Sequence, residues 1–202
     1  MADGEVKSSS ESEISVKGQS VNNIQADTVT VRHSNTGNIK ANHVLVSQAR
    51  AANVEGSTVE LRQAGAQTVR GYNVTVRQGG VVQVKAENLS MIQGGMVFAE
   101  TKEANLTASS AGVILADGDV VLDQSSVKAV LTRGEVKMDQ SGSGLVLARQ
   151  VTTGSNTGVI LMITGRVDGQ VNSVFGPAAS AAFGAAFALA IALIWWIRRR
   201  LV

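Results

Sequence analysis

The stretch Val69-Arg70-Gly71-Tyr72-Asn73-Val74-Thr75-Val76-Arg77-Gln78-Gly79-Gly80 decides the fold. Fifteen residues later it recurs, altered but recognisable, as Val84-Lys85-Ala86-Glu87-Asn88-Leu89-Ser90-Met91-Ile92-Gln93-Gly94-Gly95. Each copy alternates apolar and polar residues, as in Val74-Thr75-Val76, which is the period of a strand and not of a helix. Reading outward from this pair, Ile24, Ile39, Val54, Val69 and Val84 form one apolar column. Val29, Val44, Val59, Val74 and Leu89 form a second, and Val31, Val46, Leu61, Val76, Met91 and Leu106 a third, all at a spacing of 15. Small residues stand two after the first column, at Ala26, Ala41, Gly56, Gly71 and Ala86. Past Leu106 the spacing becomes mostly 16, giving Leu122 and Met138, and the pattern continues to about Val171.

A fixed period held over this length is the signature of a solenoid. Fifteen residues are too few for a helix pair with its turns, but they suit a coil of two or three short strands. Stacked at the ordinary strand spacing of about 4.8 Å, roughly ten such coils make a rod on the order of 50 Å long. The alternative, a meander of antiparallel hairpins, does not account for one register kept over ten units. A column of glutamines (Gln48, Gln63, Gln78, Gln93, then Gln124 and Gln140) is placed to form an amide ladder along the rod. The expected fold is therefore an all-β solenoid over 20–174.

Composition agrees. Among 202 residues there are two Trp, one Tyr and four Phe, and Phe175, Phe183, Phe187, Trp195 and Trp196 all lie beyond residue 174. Tyr72 and Phe98 alone are too few aromatics for a round core of that size, whereas thin layers of β-branched side chains need none. The chain has no Cys, which rules out disulfides, thiolate metal sites and a cysteine nucleophile. Its formal charge is +2, but setting aside Arg198, Arg199 and Arg200 leaves acids and bases nearly equal, so no nucleic-acid partner is expected.

The units ending Arg62-Gln63-Ala64-Gly65, Arg77-Gln78-Gly79-Gly80 and Ile92-Gln93-Gly94-Gly95 resemble the "RQGG" repeats of uncharacterised bacterial proteins that end in one hydrophobic segment. That resemblance covers about 20–200 and implies no known activity. The stretch Ala26-Asp27-Thr28-Val29-Thr30-Val31-Arg32 resembles a coil of bactofilins, whose β-helical rods build cytoskeletal polymers, and this resemblance implies self-assembly.

The two ends differ from the repeats. Residues 1–19 are rich in Ser and charge and poor in apolar residues, so a disordered tail is expected, and no apolar h-region marks a secretory signal. At the other end, 175–202 read as a transmembrane helix with a basic tail. The run from Ala178 to Ile197 is uncharged and long enough to span about 30 Å of hydrocarbon. Trp195 and Trp196 followed by Arg198, Arg199 and Arg200 form an interfacial anchor, and Pro177 suits the helix start. Gly176, Ser180, Gly184, Ala188 and Ala192 recur every four residues as a small row that permits helix contact, flanked by a bulky row of Phe183, Phe187, Ile191 and Trp195. Three Arg after the span favour a cytoplasmic C-terminus, yet nothing in the sequence supplies a route for exporting the rod. A tail-anchored rod on the cytoplasmic side is the adopted expectation.

Candidate chemistry is sparse. His33 and His43 are ten apart and out of register with each other, so they read as solvated turn residues. Asp117-Gly118-Asp119 lacks the remainder of a calcium loop and reads as a coil corner. Asp123 and Asp139 share one surface column. No nucleophile, base and orienting group fall together, so no catalytic, cofactor or metal site is expected. A glycan-active β-helix would need an acidic pair in a cleft and aromatics for stacking. Neither is apparent.

One column does change character. The position after the first interior column is polar or charged at Lys40, Glu55, Arg70, Lys85 and Glu100, and then becomes Leu115, Leu131, Leu147 and Ile163. Runs such as Val113-Ile114-Leu115 and Leu145-Val146-Leu147 lose alternation, as strands covered on both faces do. These four residues are the candidate interface. Two readings follow: a membrane-anchored scaffold that self-associates through these coils and its helix, or an adaptor subunit that docks the same stripe onto another membrane protein complex.

Overall fold

The computed structural model describes residues 13–169 and 172–173. They form one parallel β-solenoid of about ten coils. Every strand pairing is parallel, and all but the last link a residue to the one 15 or 16 further on: Val69 lies beside Val54 and Val84, and Val74 beside Val59 and Leu89. In the last pairing Gly158 lies beside Asn172, 14 further on. Four consecutive coils each carry a single bent strand, at Arg50–Arg62, Gly65–Arg77, Gly80–Ile92 and Gly95–Thr107. Pairing between the first two passes over Ala52 with Gln67, and over Ser57 with Tyr72. There the strand bends, which divides each coil into three runs.

The three apolar columns face inward throughout. Val29, Val31, Val46, Val59, Leu61, Val69, Val76, Val84, Met91 and Leu106 have no exposed surface. Burying such a side chain contributes roughly 1.5–3 kcal/mol, and each coil supplies several. No aromatic stands among the buried core residues: Tyr72 is exposed and Phe98 is half-buried.

The third corner is left-handed. His33, Gln48, Gln63, Gln78, Gln93, Ala108, Gln124, Gln140 and Asn156 all have φ between 45° and 54°. A non-glycine residue there is conformationally costly. The glutamines offset that cost through their amides: Nε2 of Gln48, Gln63 and Gln78 donates to Oε1 of the next coil's glutamine at 3.0, 3.2 and 3.1 Å. Of each Gly-Gly pair that follows, the first glycine is required sterically. A Cβ on Gly79 would collide with the carbonyl oxygen of Ala64, whereas one on Gly80 would meet nothing nearer than 3.8 Å.

The change of period from 15 to 16 is a local insertion. Two residues separate Thr101 from Ala104, but Asp117-Gly118-Asp119 fills the corresponding corner between Ala116 and Val120. Arg133-Gly134-Glu135 fills the corner above it, and Arg133 reaches Asp117 at 3.4 Å. The expected coil corner at 117–119 is therefore where the structure puts it. Farther round the coil, Ser109, Ser125 and Ser141 are buried. The hydroxyls of Ser125 and Ser141 each accept the backbone N–H of the preceding coil's serine at 3.1 Å. Each of the three donates to the carbonyl two residues back, at 2.6–2.7 Å. Among the described residues, no buried side-chain nitrogen or oxygen lacks a partner, as a dry interior demands.

One boundary needs correction. The solenoid starts before residue 20, because Glu13–Lys17 is already a strand paired with Thr28–Arg32. Ile14 and Val16 stand 15 residues before Val29 and Val31 and continue their columns inward. The average composition of 1–19 concealed two residues that were in register. The rest of the expected tail, 1–12, and the expected helix, 175–202, lie outside the described residues. So do its contact row Gly176, Ser180, Gly184 and Ala188 and its anchor Trp195, Trp196, Arg198, Arg199 and Arg200. Among the described residues no helix is long and apolar enough to cross a membrane.

Candidate interaction surface

One run of every coil, exemplified by Thr68-Val69-Arg70, points its middle residue inward and its two flanking residues outward. Stacking turns those flanks into two parallel external columns. One contains Lys40, Glu55, Arg70, Lys85, Glu100, Leu115, Leu131, Leu147 and Ile163, each paired with the next in strand register. The four residues expected to share a column thus do so. Between this column and its neighbour, Ile114, Val130 and Val146 are fully buried, so the leucines lie on the outside of the rod and do not widen its interior. Leu115, Leu147 and Ile163 are 36, 41 and 54% exposed, while Leu131 is half-buried among its neighbours.

The second column was not legible as a unit in the sequence. It runs Asn38, Asn53, Thr68, Gln83, Phe98, Val113, Ala129, Leu145, Leu161. It turns apolar one coil earlier than the first, at Phe98, and its signal was the same spacing two residues upstream of Leu115. Together the columns make an apolar face over the last four to five coils. At the end of the rod Leu161 and the neighbouring Ile160 are both more than half exposed.

In the other half the same face is held by ions and amides. Lys40 approaches Glu55 at 3.7 Å, and Lys85 Nζ donates to Glu100 Oε1 at 2.8 Å. Beside them, Asn38 donates to Asn23 and Asn53 donates to Asn38, at 2.8 and 2.7 Å. These groups are solvated, and their pairs add little stability. Around the corner, Glu60 raises the pKa of Arg62 above its ordinary value, first by a side-chain hydrogen bond of 2.7 Å and then by its charge.

The remaining surface offers little for chemistry. An open groove of about 1480 Å³ follows the left-handed corner, lined by His33, Gln48, Gln63, Gln78 and Arg50, with no carboxylate in its wall. His33 sits on that corner, and His43 begins a separate strand beside Thr28 and Thr58, so the two histidines occupy different runs. Asp123 and Asp139 are paired in one external column, as the spacing implied. Asp139 Oδ1 also accepts from Ser155 at 3.2 Å. Among the described residues, no three metal-binding side chains come together.

No protein-family model, curated protein or solved structure matches this chain.

Proposed function

We propose that the chain is a membrane-anchored β-solenoid that serves as a scaffold, associating with copies of itself through the apolar coils and a C-terminal transmembrane helix. One observation carries the reading: an external face that is apolar over Phe98–Ile163, on a rod whose interior is already complete without it. Among the described residues no second layer covers this face, and soluble surfaces rarely leave one open. The uncharged run Ala178–Ile197, which carries Trp195 and Trp196 near its end and is followed by three Arg, supports a lipid anchor at the same end. The resemblance of Ala26–Arg32 to bactofilin coils points toward assembly as well.

The test is purification of the full-length chain in mild detergent with a mass measurement. A single homo-oligomeric species supports the scaffold. Stoichiometric recovery of a different protein with a monomeric chain replaces it with the adaptor reading, in which the same face docks on another complex. Anchoring is tested separately by deleting 177–202, which is expected to move the protein from the membrane to the soluble fraction. Membrane attachment that survives the deletion contradicts the anchor.

A further inference from the structure

We infer that two copies pair in parallel and in register, face to face, about a two-fold axis that runs along the rods. This rests on the membrane-anchored, self-associating reading above and adds the orientation, the register and the residue pairs. A two-fold axis along the rods keeps each coil level with its counterpart and exchanges the two external columns. The Leu115 column then lies over the Val113 column, giving Leu115–Val113, Leu131–Ala129, Leu147–Leu145 and Ile163–Leu161 across the contact. At the middle of the patch the larger side chain meets the smaller one, which favours interdigitation. Farther along, Lys40, Glu55, Arg70 and Lys85 oppose Asn38, Asn53, Thr68 and Gln83, so no like charges meet. Glu100 opposes Phe98 at the border while keeping Lys85 as its own partner.

A two-fold axis across the rods, which makes them antiparallel, fares worse. It lays each column on itself in reverse. The column from Lys40 to Ile163 is centred on Glu100, so full overlap sets Glu100 against Glu100. It also sets Lys85, Arg70, Glu55 and Lys40 against Leu115, Leu131, Leu147 and Ile163, desolvating charges on leucine. Partial overlap, with Leu115 on Ile163 and Leu131 on Leu147, avoids that conflict. It puts the last described coils of the two rods at opposite ends of the pair, however, which conflicts with the anchored reading, in which both rods are held at one membrane.

Size explains why anchoring matters. Ten coils at about 4.8 Å, and about 13 Å across the run, give roughly 600 Å² per partner, about half of it apolar. Stable soluble complexes begin near 1,200 Å² in total, so the rods alone sit at the lower edge. Confinement by two membrane helices raises the effective concentration and removes most of the association cost.

The chain has no cysteine, so single cysteines report on contacts without background. Full-length chains carrying Val113→Cys and Leu115→Cys, distinguished by tags of different size, are mixed in phospholipid vesicles. Facing sheets lie about 10 Å apart, so the mixture is treated with a short thiol-specific bifunctional reagent. The parallel dimer predicts a cross-linked mixed pair, and at least tenfold less product from Leu115→Cys mixed with Ile163→Cys, three coils away. Ala129→Cys with Leu131→Cys repeats the test should either first variant lose its β spectrum. The reverse pattern of yields overturns the parallel orientation but leaves self-association standing. Dimeric mass with no product from any pair shows that the contact is not this face and overturns the inference. Monomeric mass in vesicles overturns the inference and the self-association reading together.

Discussion

The outer face of this rod is one sheet with two characters. From Lys40 to Glu100 it carries charges paired along the ladder, and from Leu115 to Ile163 it carries aliphatic side chains at the same positions. The interior beneath does not change: Ile39, Val54, Val69 and Val84 give way to Ala99, Ile114, Val130 and Val146, all 2% exposed or less. Fold and surface are therefore specified separately. The inward columns and the left-handed corners set the coil, and the outward columns are free to acquire a partner. Because the solenoid stacks each coil only on its neighbours, the two halves can differ completely without straining the junction between them.

The largest effects should come from the part the halves share. Ile39→Ala and Ile114→Ala each remove a fully enclosed side chain, one from each half, and are expected to cost about 2–5 kcal/mol. Chemical denaturation should show losses of similar size for the two. A much smaller loss at Ile114 would mean that the coils of the apolar half are loosely filled and the comparison is false. Ser125→Ala is next. It leaves the buried N–H of Ser109 without its acceptor and is expected to cost about 1–3 kcal/mol. Ser126→Ala, one residue on and exposed, should cost less than about 0.5 kcal/mol. Equal effects would show that the serine column does not join the coils. The smallest change is Lys85→Met. It breaks an exposed pair with Glu100, and a loss between 0 and about 1 kcal/mol, shrinking with added salt, is expected. A loss above 2 kcal/mol would mean that the polar half owes its stability to its charges.

How much of this was legible beforehand follows from what repeats. Val29, Val44, Val59 and Val74 recur because every coil must fill the same small volume, so the interior could be read directly from the spacing. The Gln column was visible for the same reason, although its left-handed backbone was not, since glutamine is not a residue that announces positive φ. Ile14 and Val16 were hidden by averaging over a polar segment. Ser109, Ser125 and Ser141 escaped notice because serine reads as surface until a buried N–H is found pointing at its hydroxyl. On the outside, the Leu115 column stood out by its abrupt change from charge. Phe98, Val113, Ala129, Leu145 and Leu161 did not, because Gln83 before them is uncharged and Ala129 within them is small. An apolar face of two columns was thus half visible.

The central claim is that the apolar half of this face is a contact between copies and not part of the core. Leu131→Asp tests it most directly, in the full-length chain in lipid or mild detergent, by mass and circular dichroism together. It places an unpaired charge at the middle of the contact while Val130, one residue away, keeps the interior filled. The predicted result is a monomeric mass with an unchanged β spectrum, alongside an Arg77→Asp control, exposed on a different run of the coil, that keeps the oligomer. A variant that retains the oligomeric mass with its spectrum intact contradicts the account.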